Sequence, residues 1–524
     1  MLYSLHEIAL TTDTQFNNPF QDAQAAATFT SPSGKTIHVN GFYDGNNQWR
    51  IRFVPREPGT WSYTASLTAC GVANLTTQQG NFNATNTPEP LIKHGYLRPS
   101  RSNPYRLEYE DQTPFYAVGL HTTGHINPDF DGPIDTSLKP KRRTISAAQW
   151  CNEFKNAVNL ARIQFGQGTI HGVAQPLLPL NGPLDRYDLE LAQKLDDVYK
   201  LHRNANISQI LVFFQDMSAF ACHSTSFGHP LDTTTYKSLN APNLPYQEKY
   251  FRYIIARYAA FIDIWEIFNE DCCAPTDYLA HLHKIIRDAD PYKHPISSNF
   301  SIYDEPFCEI IMPHEYVSIP ANEVDAYLSK QIAAYKSFNK PIQYTEFGNK
   351  SGLSNVDPVK WRIVLWTAFM NEVGMLYWSQ SGYQTTPKPD TYRNANAYIG
   401  PETRQHFRIF HQLTANLPQD MRPRLTHPGW IPLRSWALGN KSTTILYVHH
   451  YENHTTLYTY PPTISDGLAV ETSPGTFLAT WTDPSTGQEM FPPQTLTTKT
   501  RLLTVPLPPI TIDAVCILKK QEPS

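Results

Sequence analysis

Apolar and polar positions along the chain fall into three regimes. From about residue 10 to 85, the runs AATFTSP, TIHVNGFYDG, QWRIRFVP and TWSYTASL are separated by the turn pairs Ser33-Gly34, Asp44-Gly45 and Pro58-Gly59. Period-two alternation punctuated by tight-turn residues predicts antiparallel strands with one buried face, and no helical period is visible there. From about 430 to 519 the pattern returns in SWALG, TTILYVHHY, TTLYTYP, TFLATWTDPSTG and AVCILKK. A small β-sandwich is therefore expected at each end, over 1–88 and 423–524.

Between them strand-like and helix-like periods alternate. Apolar runs occur at FYAVGL (115–120), NLARIQF (159–165), QILVFFQ (209–215), IDIWEIF (262–268), PISSNF (295–300), EIIMPHEY (309–316), PIQYTEF (341–347) and MLYWSQ (375–380). Helical stretches such as DLELAQKLDDVYKLHR, YQEKYFRYIIARYAAF and TDYLAHLHKIIRDA separate most of them, and only the connection after PISSNF is too short for a full helix. Eight strand-then-helix units, with no Gly-rich dinucleotide fingerprint after the first strand, predict an α/β fold, a (β/α)8 barrel over 89–422.

Length, 524 residues, agrees with one large and two small domains. A charged fraction of 17% and a net charge of −4 give no polyanion-binding signature, so nucleic acid is not an expected partner. No run of 18 apolar residues suits a membrane span, and the N-terminal apolar run is broken by His6 and Glu7 without a basic stretch before it. A cytoplasmic or signal-stripped secreted location is expected. Seven cysteines, with Cys272 and Cys273 adjacent, suit free thiols better than a disulfide framework.

Chemistry in a barrel sits at the C-terminal ends of the strands. Taking IDIWEIFNE as strand four places Asn269 and Glu270 at that end, with Glu266 deeper and Phe268 on the same side by alternation. Taking PIQYTEF as strand seven places Glu346 near its C-terminal end, facing Glu270 across one cleft. Two carboxylates so placed are what glycosidic bond cleavage needs: one protonates the leaving oxygen, the other attacks or activates water at the anomeric carbon. Glu266, low in the barrel, is expected to be tied to an arginine.

W-E-I-F-N-E ending strand four and Y-T-E-F-G ending strand seven resemble the clan A glycoside hydrolases of family-5 type. The flanking segments NPFQDAQAAATFTSPSGKTIHVNGFYDG and FLATWTDPSTGQ are similar to the small sandwiches found before and after the barrel in many bacterial proteins of that clan. The resemblance implies Glu270 as acid/base and Glu346 as nucleophile of a retaining β-glycosidase. Arg162 on strand two and Tyr316, in His314-Glu315-Tyr316 on strand six, are the candidates to hold the nucleophile ionised. Asn269 is expected to donate to the sugar hydroxyl beside the anomeric carbon, and Trp378 to offer a ring for a sugar face. His121 and Asp216 are candidates for the outer subsite.

Cys272-Cys273 lacks paired C-x-x-C spacing, and alternation sends His449 and His450 to opposite faces, so neither these nor His454 predicts a metal, and no cofactor is expected. The long segments after strands three and eight, the latter with Tyr383, Tyr392 and Tyr398, favour a pocket and exo action on short β-linked oligosaccharides. A non-catalytic carbohydrate-binding protein, an endo-acting glycanase and a transglycosylase with the same glutamates stay open. Trp49, Trp61, Trp430 and Trp481 fit sandwich cores as well as sugar platforms.

Overall fold

A computed structural model describes residues 1–69, 72–86, 90–122, 132–135, 142–144, 146–164, 177–178, 183–214, 237–270, 274–298, 302–349, 357–378, 399–429, 432–452, 454–455, 457 and 467–522. The centre of the chain is an α/β barrel. Its strands are β1 (Val118–Thr122), β2 (Leu160–Gln164), β3 (Ser208–Phe214), β4 (Ile264–Phe268), β5 (Ile296–Ser297), β6 (His314–Tyr316), β7 (Gln343–Gly348) and β8 (Gly374–Tyr377). All pair in parallel in the order β5-β4-β3-β2-β1-β8-β7-β6. The ring is completed where Glu309 N–H donates to the Ile296 carbonyl at 2.9 Å and Ser297 Oγ to that of Ile310 at 2.6 Å.

Seven helices among the described residues cover the barrel: α1 (Ala147–Phe154), α2 (Leu189–Asn204), α3 (Leu244–Tyr258), α4 (Thr276–Ala289), α5 (Val324–Tyr335), α6 (Pro358–Met370) and α7 (Pro401–Thr414). Local sequence starts three of them: Ser146, Asp188 and Asp357 accept from the N–H of Gln149, Leu191 and Lys360 at 3.1, 2.9 and 3.0 Å. Among the described residues no helix lies between β5 and β6, as expected. β6 is shorter than expected, because Pro313 has no N–H to donate and only an isolated bridge from Ile311 to Ile342 precedes it.

The floor of the barrel is apolar. Leu160, Ile210, Ile264 and Leu376 point inward from β2, β3, β4 and β8 and meet Leu97 and Leu107 of a hairpin, Leu97–Pro99 with Leu107–Tyr109, that plugs the N-terminal end.

Antiparallel β-domains flank the barrel. The N-terminal one stacks a three-stranded sheet (His6–Thr11, Gln48–Phe53, Phe42–Tyr43) on a four-stranded one (Thr36–Asn40, Ala23–Thr30, Gly59–Ala69, Val72–Ala84). The strands at His6–Thr11 and Val72–Ala84 and a one-turn helix at Pro19–Asp22 add to the strands read from periodicity. The C-terminal domain pairs six strands with three, and TTLYTYP falls largely outside the described residues. Trp49, Trp61 and Trp481 are buried in these cores, so they are packing residues, and Trp430 lies outside the described residues.

Candidate active site

The site is built on the inward residues of β2, β4, β6 and β7, one layer above the apolar floor. Ile264 belongs to the floor; Glu266, two residues on, is fully buried and receives both ends of the Arg162 guanidinium, at 2.7 Å (Nε) and 2.6 Å (Nη2). The same arginine donates through Nη1 to Glu346 Oε1 at 2.8 Å and through Nη2 to Asn269 Oδ1 at 2.6 Å. Arg162 is thus both the partner of the deep carboxylate and the partner of the upper one. A planar fork with five N–H groups can serve all three acceptors at once; a lysine could not.

Alternation along β4 stops at its end. Phe268, expected to face the cleft with Glu266 and Glu270, instead has its ring 6.3 Å from that of Tyr278 on α4, while Asn269 reaches Arg162. The strand is over at Phe268, and Glu270 takes a left-handed φ of +49°. Asn269 and Glu270, neighbours in sequence, therefore both serve the mouth of the barrel. Arg162 occupies the Asn269 carboxamide oxygen, leaving the NH2 group as the one to donate elsewhere.

β7 breaks its alternation too. Its pairing with β8 shifts register between Tyr344 and Phe347, a bulge that leaves Thr345 and Glu346 together opposite one residue of β8. Both side chains then reach site groups: Tyr316 Oη donates to Glu346 Oε2, and Thr345 Oγ1 lies 3.0 Å from His314 Nε2. The other nitrogen of His314, Nδ1, is 2.9 Å from Glu270 Oε1 and 3.6 Å from Glu346 Oε2. A carboxylate only accepts, so Nδ1 carries the hydrogen.

The two glutamates differ in exposure. The Glu270 side chain is 46% exposed and open to a ligand, whereas that of Glu346 is 7% exposed beneath it. The His314 hydrogen bond holds the Glu270 carboxyl below the usual range, against a smaller opposing effect of burial. Burial, with Arg162 and His314 nearby, pushes His121 well below its ordinary value, so it is neutral. Its Nδ1 accepts from Arg162 at 2.9 Å, which leaves Nε2–H 3.9 Å from Glu346 Oε1. The Tyr316 hydroxyl is raised by burial and by Glu346, and remains a donor.

Trp378 follows β8, half-buried, with its ring edge-on to that of Tyr316 at 5.6 Å. Gly348 makes this corner possible: a Cβ there would stand 2.8 Å from the Trp378 carbonyl and 3.1 Å from the Tyr316 ring. Asp216, Cys272, Cys273, Tyr383, Tyr392 and Tyr398 lie outside the described residues. His449, read from HHYENH, is engaged in the C-terminal domain, with Nδ1 on Asp325 of α5 at 2.5 Å and Nε2 2.9 Å from His454 Nε2. Ligating atoms of Glu270, His314 and Glu346 all lie within 4.8 Å of one another, a spacing that would admit a cation. Both oxygens of Glu346 and Nδ1 of His314 are, however, already engaged. Thr345 and Gly348 were not singled out from the sequence; a bulge and a close ring approach leave no periodic signal.

The fold has counterparts among solved structures. A protein from Bacteroides vulgatus ATCC 8482, provisionally described as a glycoside hydrolase, superposes with a TM-score of 0.67 at 16% identity over 99% of each chain. The fold is one shared with solved glycoside hydrolases. A family 5 glycoside hydrolase from the same organism shares the fold with a TM-score of 0.55 at 13% identity, over 82% of this chain and 93% of its own. Residues 1–68 match a family described as a domain of unknown function, DUF5060. No curated protein sequence matches the chain. Among the described residues, no helix is long and apolar enough to cross a membrane.

Proposed function

We propose that the protein is a retaining β-glycosidase acting on β-linked oligosaccharides or glycosides, with Glu346 as nucleophile and Glu270 as acid/base. The observation that carries this reading is the separation of the two carboxylates, which have oxygens within 4.8 Å of each other. Retaining pairs stand about 5–5.5 Å apart, whereas inverting pairs need roughly 6.5–9.5 Å to hold a water between them.

Glu346, gripped by Arg162 and Tyr316, attacks the anomeric carbon; a carbon–oxygen ester bond forms there as the glycosidic bond breaks. The leaving oxygen takes its proton from Glu270. Water then attacks the same carbon and gives its proton to Glu270, and the ester bond to Glu346 breaks. The Asn269 NH2 group and the neutral His121 Nε2–H are donors for sugar hydroxyls, and Trp378 stacks a ring face. Exo action belongs to this reading through the long segments after β3 and β8. A non-catalytic carbohydrate-binding protein is disfavoured by the side chains that hold both carboxylates, Arg162 and Tyr316 on Glu346 and His314 on Glu270, which binding alone does not require.

The test is hydrolysis of a panel of nitrophenyl β-glycosides by wild type, Glu270→Ala and Glu346→Ala with azide added. Loss of general acid catalysis is expected to cost Glu270→Ala roughly 10²–10⁴-fold. Azide should restore its turnover as a glycosyl azide of retained β configuration, and any azide product of Glu346→Ala should be the opposite anomer. Inverted product from wild type would sink the reading.

A further inference from the structure

The two sheets of the N-terminal domain differ in charge. The three-stranded sheet, which faces the barrel, carries Glu7, Arg50 and Arg52, all in ion pairs. The four-stranded sheet has no Asp, Glu, Lys or Arg in any of its strands, Thr36–Asn40, Ala23–Thr30, Gly59–Ala69 and Val72–Ala84. In a chain that is 17% charged, strands of this total length would be expected to carry several. Solvated sheet faces ordinarily mix both charges for solubility, and exposed edges use lysine against unwanted pairing.

The outer face is not apolar either. Its inward residues, Phe29, Trp61 and Ala65 among them, form the sandwich core. Its outward residues at the centre form two cross-strand rows, Thr28-Thr64-Gln79 and Thr30-Ser62-Asn81. With Tyr63 and Gly80, these six line a shallow depression of about 380 Å3. None of the six makes a side-chain hydrogen bond to another described residue. Rows lie about 7 Å apart along the strands and neighbours about 4.8 Å apart across them, a regular grid of hydroxyl and amide groups.

Charge complementarity selects the partner. A polyanion or an anionic lipid surface finds no cation here, a basic or acidic peptide no counter-charge, and an apolar segment no apolar surface. A polymer that is itself uncharged and covered in hydroxyl groups can both donate to and accept from every position. The face also begins near the cleft side: the strand Ala23–Thr30 directly follows Asn18 and Gln21, whose amides donate to the Asp185 carbonyl on the segment that leads from β2 into α2. We propose that the outer face of this sheet is a docking surface for a neutral polysaccharide, which it holds beside the barrel. This rests on the glycosidase reading for the identity of the partner.

The full chain is tested by co-sedimentation with insoluble mannan, xylan and cellulose, with polygalacturonate as the anionic control. The variant Thr28→Glu/Thr64→Glu/Asn81→Glu puts charge on the grid, and Thr64→Lys is a milder second variant. Wild type should be retained by at least one neutral glycan; the triple variant should lose at least tenfold in affinity, with small-glycoside turnover and thermal midpoint unchanged. If wild type hydrolyses small glycosides yet binds no neutral glycan, or binds polygalacturonate more tightly, the docking surface falls and the glycosidase reading stands. Equal binding by the variants also overturns it. If no glycoside is hydrolysed while charge on the grid abolishes glycan binding, the docking surface stands and the enzyme reading falls.

Discussion

At the residue scale the site turns on two polar groups that touch the carboxylates from opposite sides. His314 donates to Glu270 and stabilises its charged form, so the group proposed as acid releases its proton at lower pH than an isolated carboxyl. The alkaline limb of kcat/KM, which reports the acid in the free enzyme, should lie correspondingly low. Removing the donor in His314→Ala raises the Glu270 pKa, keeps the proton on to higher pH and should move that limb upward; a pH profile on unactivated glycosides checks it, and a downward shift would contradict the assignment. Arg162 is different in kind, because it is wholly buried with two carboxylates. Arg162→Met strands both charges, and a loss of about 3–5 kcal/mol in urea unfolding is expected alongside loss of turnover. That Glu270 and Glu346 stand at strand ends around one cleft was legible from strand order and barrel topology, whereas Arg162 and Tyr316 were singled out by resemblance. That one arginine serves Glu266 and Glu346 together was not legible, since periodicity gives a face but not a reach.

At the element scale, strand order, helix order and the missing helix after β5 followed from hydrophobic period alone. What the period missed are its own interruptions. Phe268 leaves the cleft because β4 ends there, β6 is truncated at Pro313, and the bulge at Thr345 turns two successive residues of β7 toward the site. The first and last place a side chain that strict alternation would misassign, and all three are at the rim, where strands stop. Gly348 belongs to the same set: its bare backbone admits the Tyr316 ring. Gly348→Ala should push that ring off Glu346 and lower kcat at least tenfold while leaving overall stability within about 1–3 kcal/mol, the usual cost of overpacking. Steady-state kinetics with a denaturation curve separates the two effects.

At the scale of the whole molecule, buried ion pairs join the three domains. Asp196 on α2 accepts from Arg52 of the N-terminal sheet, at 2.7 and 2.6 Å, and from Arg257 of α3. Asp513 of the C-terminal domain takes both ends of Arg362 on α6, at 3.0 and 2.7 Å. Partners so distant along the chain leave no trace in local pattern, which is why the sandwiches were visible in the sequence and their docking was not. Burial pushes Asp196 up, but Arg52 and Arg257 together hold it below its ordinary value. Its contribution is therefore full above the unfolded carboxylate pKa, about 3.9, and lost as pH falls below that toward the folded value. Asp196→Asn should be less stable than wild type at pH 7, with a shallower decline between pH 5 and acid, in denaturant titrations at a series of pH values.

The barrel is not equally strong around its circumference. β5 has two residues and β6 three, and among the described residues their junction is held by the N–H groups of Glu309 and Ile296 and by Ser297 Oγ rather than by a ladder, where β2–β3 and β3–β4 share five and four register pairs. With no ladder to break at that junction, amide exchange should begin there while the β1–β4 arc stays protected. His314 and Tyr316 sit on the looser arc; Arg162, Asn269 and Glu270 sit on the firmer one. The proposed nucleophile's Tyr316 and the proposed acid's His314 thus stand where the wall of the barrel is shortest, and the buried arginine they share the site with stands where it is longest.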